Sequence, residues 1–242
     1  MIQDGLANQR AAGTPQGSPL SPLLSNILLD DLDKELEKRG HKFCRYADDC
    51  NIYVGSKAAG ERVLERITRF LERKLRLKVN SAKSAVDRPW KRRFLGYSMT
   101  QEKSVRLKPS PTNIKRLKDT IREVIRRGRG RRIDRVVAEL SLKLRGWGNY
   151  FKLAEVKVVF EDLDRWIRRK LRNMIWRQWK KPQTRYRKLK SRGISEDLAR
   201  GVANTRHGPW VAAGMQAMNF AFPKKFFDKL GLVSLLDMRQ SR

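Results

Sequence analysis

The spacing of apolar side chains changes along the first hundred residues and predicts a small α+β unit. A helix is expected to begin at Pro22, where proline suits the first turn, and to end near Gly40. Residues 42–54 hold two short β-prone runs around a polar turn, which predicts a hairpin. An amphipathic helix is expected at 58–76, followed by short strands. The apolar positions of the first helix are Leu23, Leu24, Ile27, Leu28, Leu32 and Leu36, and the short strands are expected at 77–80, 92–99 and 103–107.

Beyond Pro109 and Pro111 the apolar spacing becomes helical throughout. Three stripes with three-and-four spacing predict a small bundle of helices. After Pro182 the pattern loosens into a basic linker and an irregular region that ends near Leu236. The stripes are Ile114, Leu117, Ile121, Val124 and Ile125; then Ile133, Val136, Val137, Leu140, Leu144, Trp147 and Phe151; then Phe160, Leu163, Ile167, Leu171 and Met174.

These patterns predict an α+β unit at 1–108, a helical domain at 109–182 and a basic C-terminal extension at 183–242. The chain of 242 residues carries a net charge of +31, of which +7 lies in residues 1–100 and +24 in the remainder. Such an excess favours a polyanionic partner. The hydrophobic fraction of 40% is too high for a disordered basic tail, so the basic half is expected to fold.

The cysteines and histidines give no metal-binding spacing. Cys44 and Cys50 are the only cysteines, and His41 and His207 are the only histidines. A zinc site is therefore not expected, and the two cysteines are interpreted as buried reduced thiols. No apolar run has membrane-spanning length and no signal peptide follows Met1, so a soluble cytoplasmic protein is expected.

The clearest candidate chemistry is the pair Asp48-Asp49 at the tip of the predicted hairpin. Two adjacent ionised carboxylates repel each other, and a bound divalent cation offsets that repulsion and can polarise a phosphate. An ordinary exposed Asp-Asp turn is the alternative. The apolar strand residues on both sides favour a metal site at the end of a rigid hairpin.

Three other segments carry weaker signals. The glycines of Gly13–Pro22 allow close approach of backbone to a nucleotide, and Gln16 could contact a sugar or base, although a helix-capping loop would have the same composition. Lys83 could serve a pyrophosphate leaving group or be ordinary surface. The stretch Phe94-Leu95-Gly96-Tyr97 is either core or a grip on a primer end.

Taken in order, these segments resemble the later palm motifs of group II intron reverse transcriptase/maturases. The similarity extends from Gly13 to Leu236. The palm-like stretches are Gly-Thr-Pro-Gln-Gly-Ser-Pro-Leu-Ser-Pro from Gly13, Tyr46-Ala47-Asp48-Asp49, Leu-Lys-Val-Asn-Ser-Ala-Lys-Ser from Leu77, and Phe-Leu-Gly-Tyr from Phe94. Those similar to the maturase-specific thumb region are Leu144–Phe151, Leu163–Leu171 and Gly208–Trp210.

The resemblance implies a partial polymerase palm followed by an all-helical thumb or maturase domain. Members of the family copy RNA into DNA and help their intron RNA to fold and splice. By resemblance, Asp48 and Asp49 are the catalytic metal site for Mg²⁺, and Lys83 lies near the triphosphate. The residues expected to line the incoming nucleotide are Pro15, Gln16, Gly17, Tyr46 and Ala47.

The basic half has a composition suited to structured RNA. Lys and Arg neutralise phosphates, and interleaved aromatic rings can stack on unpaired bases. Packed indoles with solvating charges are the alternative, and a mixture is expected, with Trp147 and Trp166 mostly packed. The expected RNA-binding residues are Arg165, Arg168, Arg169, Arg172, Trp176, Arg177, Lys180, Lys181 and Arg185.

The chain departs from the family pattern at its front. The fingers and the first palm aspartate are absent, and no strand pattern surrounds Asp4, so an N-terminal truncation is expected. Because two-metal catalysis needs carboxylates from two strands, polymerisation by this chain alone is not expected. A partner chain that supplies the fingers and the missing strand would restore an enzyme acting on an RNA/DNA duplex. An RNA-binding maturase remnant and a fragment without function are the alternatives.

Overall fold

The computed structural model describes residues 2–3, 6–7 and 19–240. These fall into two compact units, Met1–Arg88 and Pro89–Arg242. Asp4 and the part of the Gly-rich loop that precedes residue 19 lie outside the described residues. The domain limits given above stay predictions. No helix in the described ranges is both long and apolar enough to cross a membrane.

The first unit contains two hairpins and two long helices. Strands β1 and β2 flank the position of Asp4, so the expectation that no strand pattern surrounds it is wrong. Strands of two residues are too short to show a period in the sequence. The elements are β1 (Ile2–Gln3), β2 (Leu6–Ala7), α1 (Ser21–Lys38), β3 (Lys42–Tyr46), β4 (Asp49–Tyr53) and α2 (Lys57–Arg73).

Helix α1, the β3–β4 hairpin and helix α2 pack around a small core, as the periodicity predicted. Leu32 and Leu36 of α1 are buried against Ile67 of α2, and Phe43 and Ile52 of the hairpin pack on the same cluster. Burial of these side chains fixes which face of the hairpin meets the helices, because residues along a strand alternate between faces.

The later strands differ from the prediction. Residues 77–80 form no strand, because the backbone amide of Leu77 donates to the carbonyl of Leu71 at the end of α2. The strand predicted at 92–99 is shorter than expected, and the one predicted at 103–107 is displaced and begins only at Leu107. They form one antiparallel pair in the second unit, β5 (Tyr97–Met99) with β6 (Leu107–Pro109), after a 3₁₀ turn at Pro89–Lys91.

The rest of the second unit is helical. Ser110 caps α3, with its hydroxyl oxygen accepting from the amide of Asn113. The segment after Pro182 contains six short helices, so the prediction of a basic linker there is wrong. The helices are α3 (Pro111–Arg127), α4 (Ile133–Tyr150), α5 (Lys157–Gln178), α6 (Pro182–Lys190), α7 (Glu196–Ala203), α8 (Pro209–Ala212), α9 (Gln216–Ala221), α10 (Lys224–Lys229) and α11 (Leu235–Gln240).

All three apolar stripes enter one core, which confirms the helical bundle. Ile121, Leu140 and Leu171, one from each stripe, are fully buried. The last helix is attached by Asp164 of α5, a buried carboxylate that accepts from the Ser234 hydroxyl at 2.7 Å and from two amides of the first turn of α11. Those amides have no partner within their own helix, so the carboxylate satisfies groups that burial would otherwise leave unpaired.

The stretch Phe94–Tyr97 is a tight turn docked on the end of α4. Phe94 and Tyr97 exchange two backbone hydrogen bonds across Leu95 and Gly96, which both have left-handed φ, +49° and +79°. Tyr97 donates its hydroxyl to the carbonyl of Tyr150 at 2.6 Å, and Tyr150 donates its own to the carbonyl of Leu95 at 3.0 Å. Two stretches that the sequence singled out separately therefore hold each other in place.

We predict that Gly96→Ala destabilises the second unit much more than Gly130→Ala. Both glycines have left-handed φ, but a Cβ on Gly96 would lie 2.8 Å from Asn113 Nδ2 and 3.3 Å from the Phe151 ring, whereas nothing lies within 4 Å at Gly130. Urea titration of the full chain should show that the free energy of unfolding falls by about 1 kcal/mol for Gly130→Ala and by about 3 kcal/mol for Gly96→Ala. Equal losses would contradict the close packing.

Candidate catalytic turn and nucleic-acid interface

The two aspartates lie at the tip of the β3–β4 hairpin. Tyr46 pairs with Asp49, which leaves Ala47 and Asp48 as the two-residue connection. Ala47 has φ of +52°, a left-handed conformation that an alanine adopts at a cost in free energy. Strained residues of this kind persist only where neighbouring groups fix them. Both carboxylates are exposed to solvent.

Arg45 is the group that fixes this turn. Its guanidinium makes a bidentate pair with Asp33 of α1, Nε to Oδ1 at 2.7 Å and Nη2 to Oδ2 at 2.5 Å. The remaining nitrogen, Nη1, donates at 3.0 Å both to the Asn26 side chain and to the carbonyl of Ala47. Hydrogen bonding to Asp33 raises the pKa of Arg45. One arginine thus ties the turn to α1, a role that the sequence analysis missed.

The donor set at the turn fits a hard divalent cation in part. Mg²⁺ is commonly held by one or two carboxylates and completes its shell with water and substrate phosphates. Asp48 and Asp49 supply carboxylates of this kind. Among the described residues, no group of three or more His, Cys, Asp or Glu side chains is arranged to hold a metal.

The other residues expected near the nucleotide are only partly covered by the structure. Pro15, Gln16 and Gly17 lie outside the described residues. Tyr46 is 64% exposed beside the aspartates, so its ring is accessible to a ligand. Lys83 lies in the loop after α2, where its amide donates to the carbonyl of Asn80. Its proximity to a triphosphate stays a prediction.

The two cysteines differ in environment, which corrects the expectation that both are buried. Cys44 is exposed, whereas Cys50 faces the core between α1 and α2 and is partly buried. Burial, followed by the nearby charge of Asp33, raises the pKa of the Cys50 thiol to about 11. Alternation along the strands places the two thiols on opposite faces of the hairpin.

Two of the arginines expected to face RNA donate hydrogen bonds to backbone carbonyls. Arg172 is 9% exposed and donates to the carbonyl of Phe222 at 3.1 Å, so the prediction that it faces RNA is wrong. Burial lowers its pKa to about 10. Arg169 donates to the carbonyl of Trp210 at 3.0 Å while its guanidinium lies over the Trp210 ring. Both arginines hold carbonyls at the ends of α8 and α9, which lack partners within those helices.

The prediction that Trp176 contacts RNA is also wrong. Its ring is 1% exposed and packs near Trp179, so stacking on an unpaired base is excluded. Arg185 lies over that ring, 4.5 Å from its centroid, and donates to the carbonyl of Trp179 at 2.9 Å. The interleaving of arginine and tryptophan in this segment thus produces a packed layer.

The remaining basic residues of the prediction are more accessible. Arg165 is paired with Asp162 at 3.2 Å, and Arg177 donates to the Asn173 side chain. The residues that are exposed are Arg165, Arg177, Lys180 and Lys181, and Arg168 is partly buried. Their contact with RNA stays a prediction.

A different set of cations surrounds two partly exposed indoles. Lys170 lies over both rings, 5.5 Å from the centroid of Trp166 and 4.7 Å from that of Trp210. Lys118 and Arg122 of α3 lie over Trp166 at 5.6 and 5.5 Å. We name this set the two-indole cluster; its members are Trp166, Trp210, Lys118, Arg122, Arg169 and Lys170. The expectation that Trp166 packs on the core is confirmed, as it is for Trp147.

Positive charge in the two-indole cluster is mostly uncompensated. Arg122 pairs with Asp119 at 2.5 Å, but within the described residues no carboxylate pairs with Lys118, Arg169 or Lys170. Burial, then the charges of Arg122 and Arg177, lower the pKa of Lys170. The indole faces hold these cations through cation–π attraction without neutralising them. The result is a fixed cationic surface on α3, α5 and α8 suited to phosphate groups.

We predict that Arg45→Met loosens the aspartate turn. The Arg45 side chain is 11% exposed and its Asp33 partner 24%, so removal of one partner should cost about 3 kcal/mol. Hydrogen exchange, followed by mass spectrometry, should show that the amides of β3 and β4 are less protected in Arg45→Met than in the unchanged chain. Arg69→Met removes an exposed pair and should cost below about 1 kcal/mol. Equal protection in the two variants would contradict the role of Arg45.

We also predict that iodoacetamide at pH 8 labels Cys44 and leaves Cys50 largely unmodified. The raised pKa of Cys50 means that little thiolate, the reactive form, is present at that pH, and partial burial limits access. Peptide mapping by mass spectrometry reads the result. In Cys44→Ser the native chain should take up almost no label. Preferential labelling of Cys50 would show that the hairpin faces are reversed.

Comparisons with known proteins give a family for each part of the chain. Residues 7–99 match the model for "Reverse transcriptase (RNA-dependent DNA polymerase)", and residues 114–193 match the model for "Group II intron, maturase-specific domain". Protein YkfC of Escherichia coli (strain K12) is 30% identical over a region covering 35% of this chain and 31% of that protein. The chain therefore spans about a third of the length of this curated relative.

The two family matches follow one another in the order of the sequence motifs. The reverse transcriptase match includes the aspartate turn, and the maturase match includes α3, α4 and α5, which carry most of the two-indole cluster. Reverse transcriptases belong to the nucleotidyl-transfer enzymes that typically use divalent metal, and the maturase-specific domain implies intron RNA binding. The two matches together fit a group II intron reverse transcriptase/maturase, the family that the sequence motifs resemble.

Proposed function

We propose that this chain binds structured group II intron RNA through its helical unit, and that the hairpin of its first unit presents two of the carboxylates of a reverse transcriptase metal site. The observation that carries the RNA-binding proposal is the two-indole cluster. A cytoplasmic location, where the protein would meet its RNA, is part of the proposal.

The chemistry of the cluster favours RNA over a small anion. Lys118 and Lys170 project from separate helices and share the Trp166 ring, so their charges are spread over a surface wider than one phosphate. Phosphodiester backbones present repeated charges to such a surface, and binding releases their condensed counterions. Partly exposed indoles can also stack on bases that structured RNA leaves unpaired.

The aspartate turn supports the enzymatic half of the proposal. Asp48 and Asp49 would hold Mg²⁺, which when bound polarises the phosphate under attack. The protein's own contribution is placement, because Arg45 fixes the turn and leaves both carboxylates exposed to an incoming nucleotide. A further carboxylate ligand, such as one from a partner chain, would complete the site for an RNA/DNA duplex.

RNA binding without catalysis is the second candidate. RNA binding by the cationic surface of the helical unit requires neither Asp48 nor Asp49, and all of its residues lie in the described part of the chain. A chain that binds intron RNA and assists splicing would use this surface alone.

We predict that Lys118→Gln/Lys170→Gln weakens binding of the full chain to a labelled intron RNA about tenfold at low salt. Since each lost phosphate contact lowers the slope of log affinity against log salt concentration by about one, the slope should fall by about two. Fluorescence anisotropy over a salt series measures both. The matched control Arg127→Gln/Arg200→Gln removes the same charge from residues that are already paired with Glu123 and Glu196.

Equal effects of the two variants would contradict a specific role for the cluster. Asp48→Ala separates the two candidate functions in the same experiment. It should leave RNA affinity unchanged, and any Mg²⁺-dependent primer extension by the chain, alone or with a partner, should be lost. Primer extension that survives Asp48→Ala would exclude the aspartate turn as the metal site.

A further inference from the structure

A second concentration of positive charge lies in the first unit, on residues other than those proposed above to bind RNA. The C-terminal ends of α1 and α2 border an open groove of about 540 Å³. We name it the arginine groove. Its lining residues are Arg39, Arg66, Arg69, Phe70, Arg73 and Lys74.

Three of the five cations in the arginine groove have a carboxylate nearby. Arg39 pairs with Glu35, Arg69 with Glu65, and Lys74 lies 3.9 Å from Asp31. Within the described residues, no carboxylate pairs with Arg66 or Arg73. The groove therefore keeps a net positive charge after its local ion pairs are counted.

The sequence of α2 explains why these two arginines remain uncompensated. Residues three and four positions apart are neighbours on a helix. The four such neighbours of Arg66 are Arg62, Val63, Arg69 and Phe70, so no acid lies beside it. Arg73 follows Arg69 and Phe70 in the same way. Like charges one turn apart destabilise an isolated helix, and a bound polyanion would relieve that repulsion.

The floor of the groove is apolar. Phe70 packs on the core formed by Leu32, Leu36 and Ile67, and the Lys74 ammonium lies 5.2 Å from the centroid of its ring. The cations thus stand around a fixed surface, on helices that the core holds together. An open groove of this shape cannot enclose a small anion, but it can follow an extended chain of phosphates.

The arginine groove is also distant from the aspartate turn. Asn26 of α1 is hydrogen-bonded to Arg45, which holds the turn, whereas Arg39 follows the last residue of the same helix. These positions are 13 residues apart along α1, which corresponds to about 20 Å at the helical rise. A ligand in the groove would therefore not occupy the metal site.

We propose that the arginine groove binds the phosphodiester backbone of RNA, as a contact separate from both the two-indole cluster and the aspartate turn. The inference rests on the proposed RNA-binding function and adds to it a site on the palm-like unit. Because its contacts would be to phosphates, the groove would contribute affinity for any sequence rather than recognise bases.

Arg66→Gln/Arg73→Gln in the full chain tests the groove. Both side chains are exposed, so the fold should be unchanged, which a circular dichroism melt verifies. The matched control is Lys34→Gln/Lys57→Gln. It removes the same charge from the first unit, from one lysine on α1 and one on α2, and each lysine is already paired, with Asp30 and with Glu61. The probe is one labelled RNA hairpin, titrated over a salt series, alongside the cluster variant Lys118→Gln/Lys170→Gln.

We expect the groove variant to weaken binding about tenfold at low salt and to lower the salt slope by about two, with little change in the control. If the groove variant binds RNA as tightly as its control while the cluster variant binds more weakly, the groove proposal is overturned and the proposed function stands. If only the groove variant binds RNA more weakly, the groove proposal stands and the cluster is excluded as an RNA site. If neither variant binds RNA more weakly, both proposals are overturned. If the groove variant loses binding to phosphatidylserine vesicles while its RNA binding is unchanged, the groove is a membrane-binding site and the RNA proposal is overturned.

Discussion

The structure depends on how the chain places its excess of basic side chains. It has 56 Lys and Arg residues but only 25 Asp and Glu residues, so more than half of these basic groups have no carboxylate of their own. Arginine remains charged and carries five donors in a planar fork, which makes backbone carbonyls useful partners. Arginines that donate to backbone carbonyls include Arg45, Arg169, Arg172, Arg185, Arg192 and Arg239.

This use of arginine joins elements that would otherwise be weakly held. The short helices α8 and α9 are too small to be stable alone, and their terminal carbonyls are bound by Arg169, Arg172 and Arg192. At the hairpin tip, one guanidinium stabilises a left-handed alanine next to Asp48 and Asp49. Other cations lie over aromatic rings, and some of these, such as Lys118 and Lys170, have no carboxylate partner among the described residues.

The helices and the aspartate hairpin could be predicted because their signals are local. Apolar spacing of three and four residues determined the buried stripes, and alternation around Asp48-Asp49 determined the hairpin. The helices after Pro182 could not be predicted in this way, since each is only one or two turns long and is held by distant side chains. The strand predicted at 77–80 failed for a different reason, because a local backbone hydrogen bond from the Leu77 amide to the Leu71 carbonyl takes the place of strand pairing.

The candidate sites were predicted less completely, because composition does not give direction. Arg172 and Trp176 belong to a segment whose residue types suit RNA, yet both are buried, because α5 is covered on all sides from Leu171 to Trp176. Lys118 and Trp210 are separated by more than ninety residues and meet at one cluster only in the fold. Arg45 is adjacent in sequence to the Asp48-Asp49 turn that it supports, but its partner Asp33 lies on the preceding helix, α1.

Two hydrogen bonds join the Phe94–Tyr97 turn to Tyr150 of α4. They affect where such proteins can be divided and recombined. The reverse transcriptase match ends at residue 99, yet the compact unit that contains Tyr97 begins at Pro89. The limit of the family match and the limit of the folding unit therefore differ by residues 89–99, which include the Phe94–Tyr97 turn and β5. A chimaera joined at the family limit would pair a foreign Phe-Leu-Gly-Tyr turn with the resident α4, whereas a junction after Arg88 would carry both partners of the bond together.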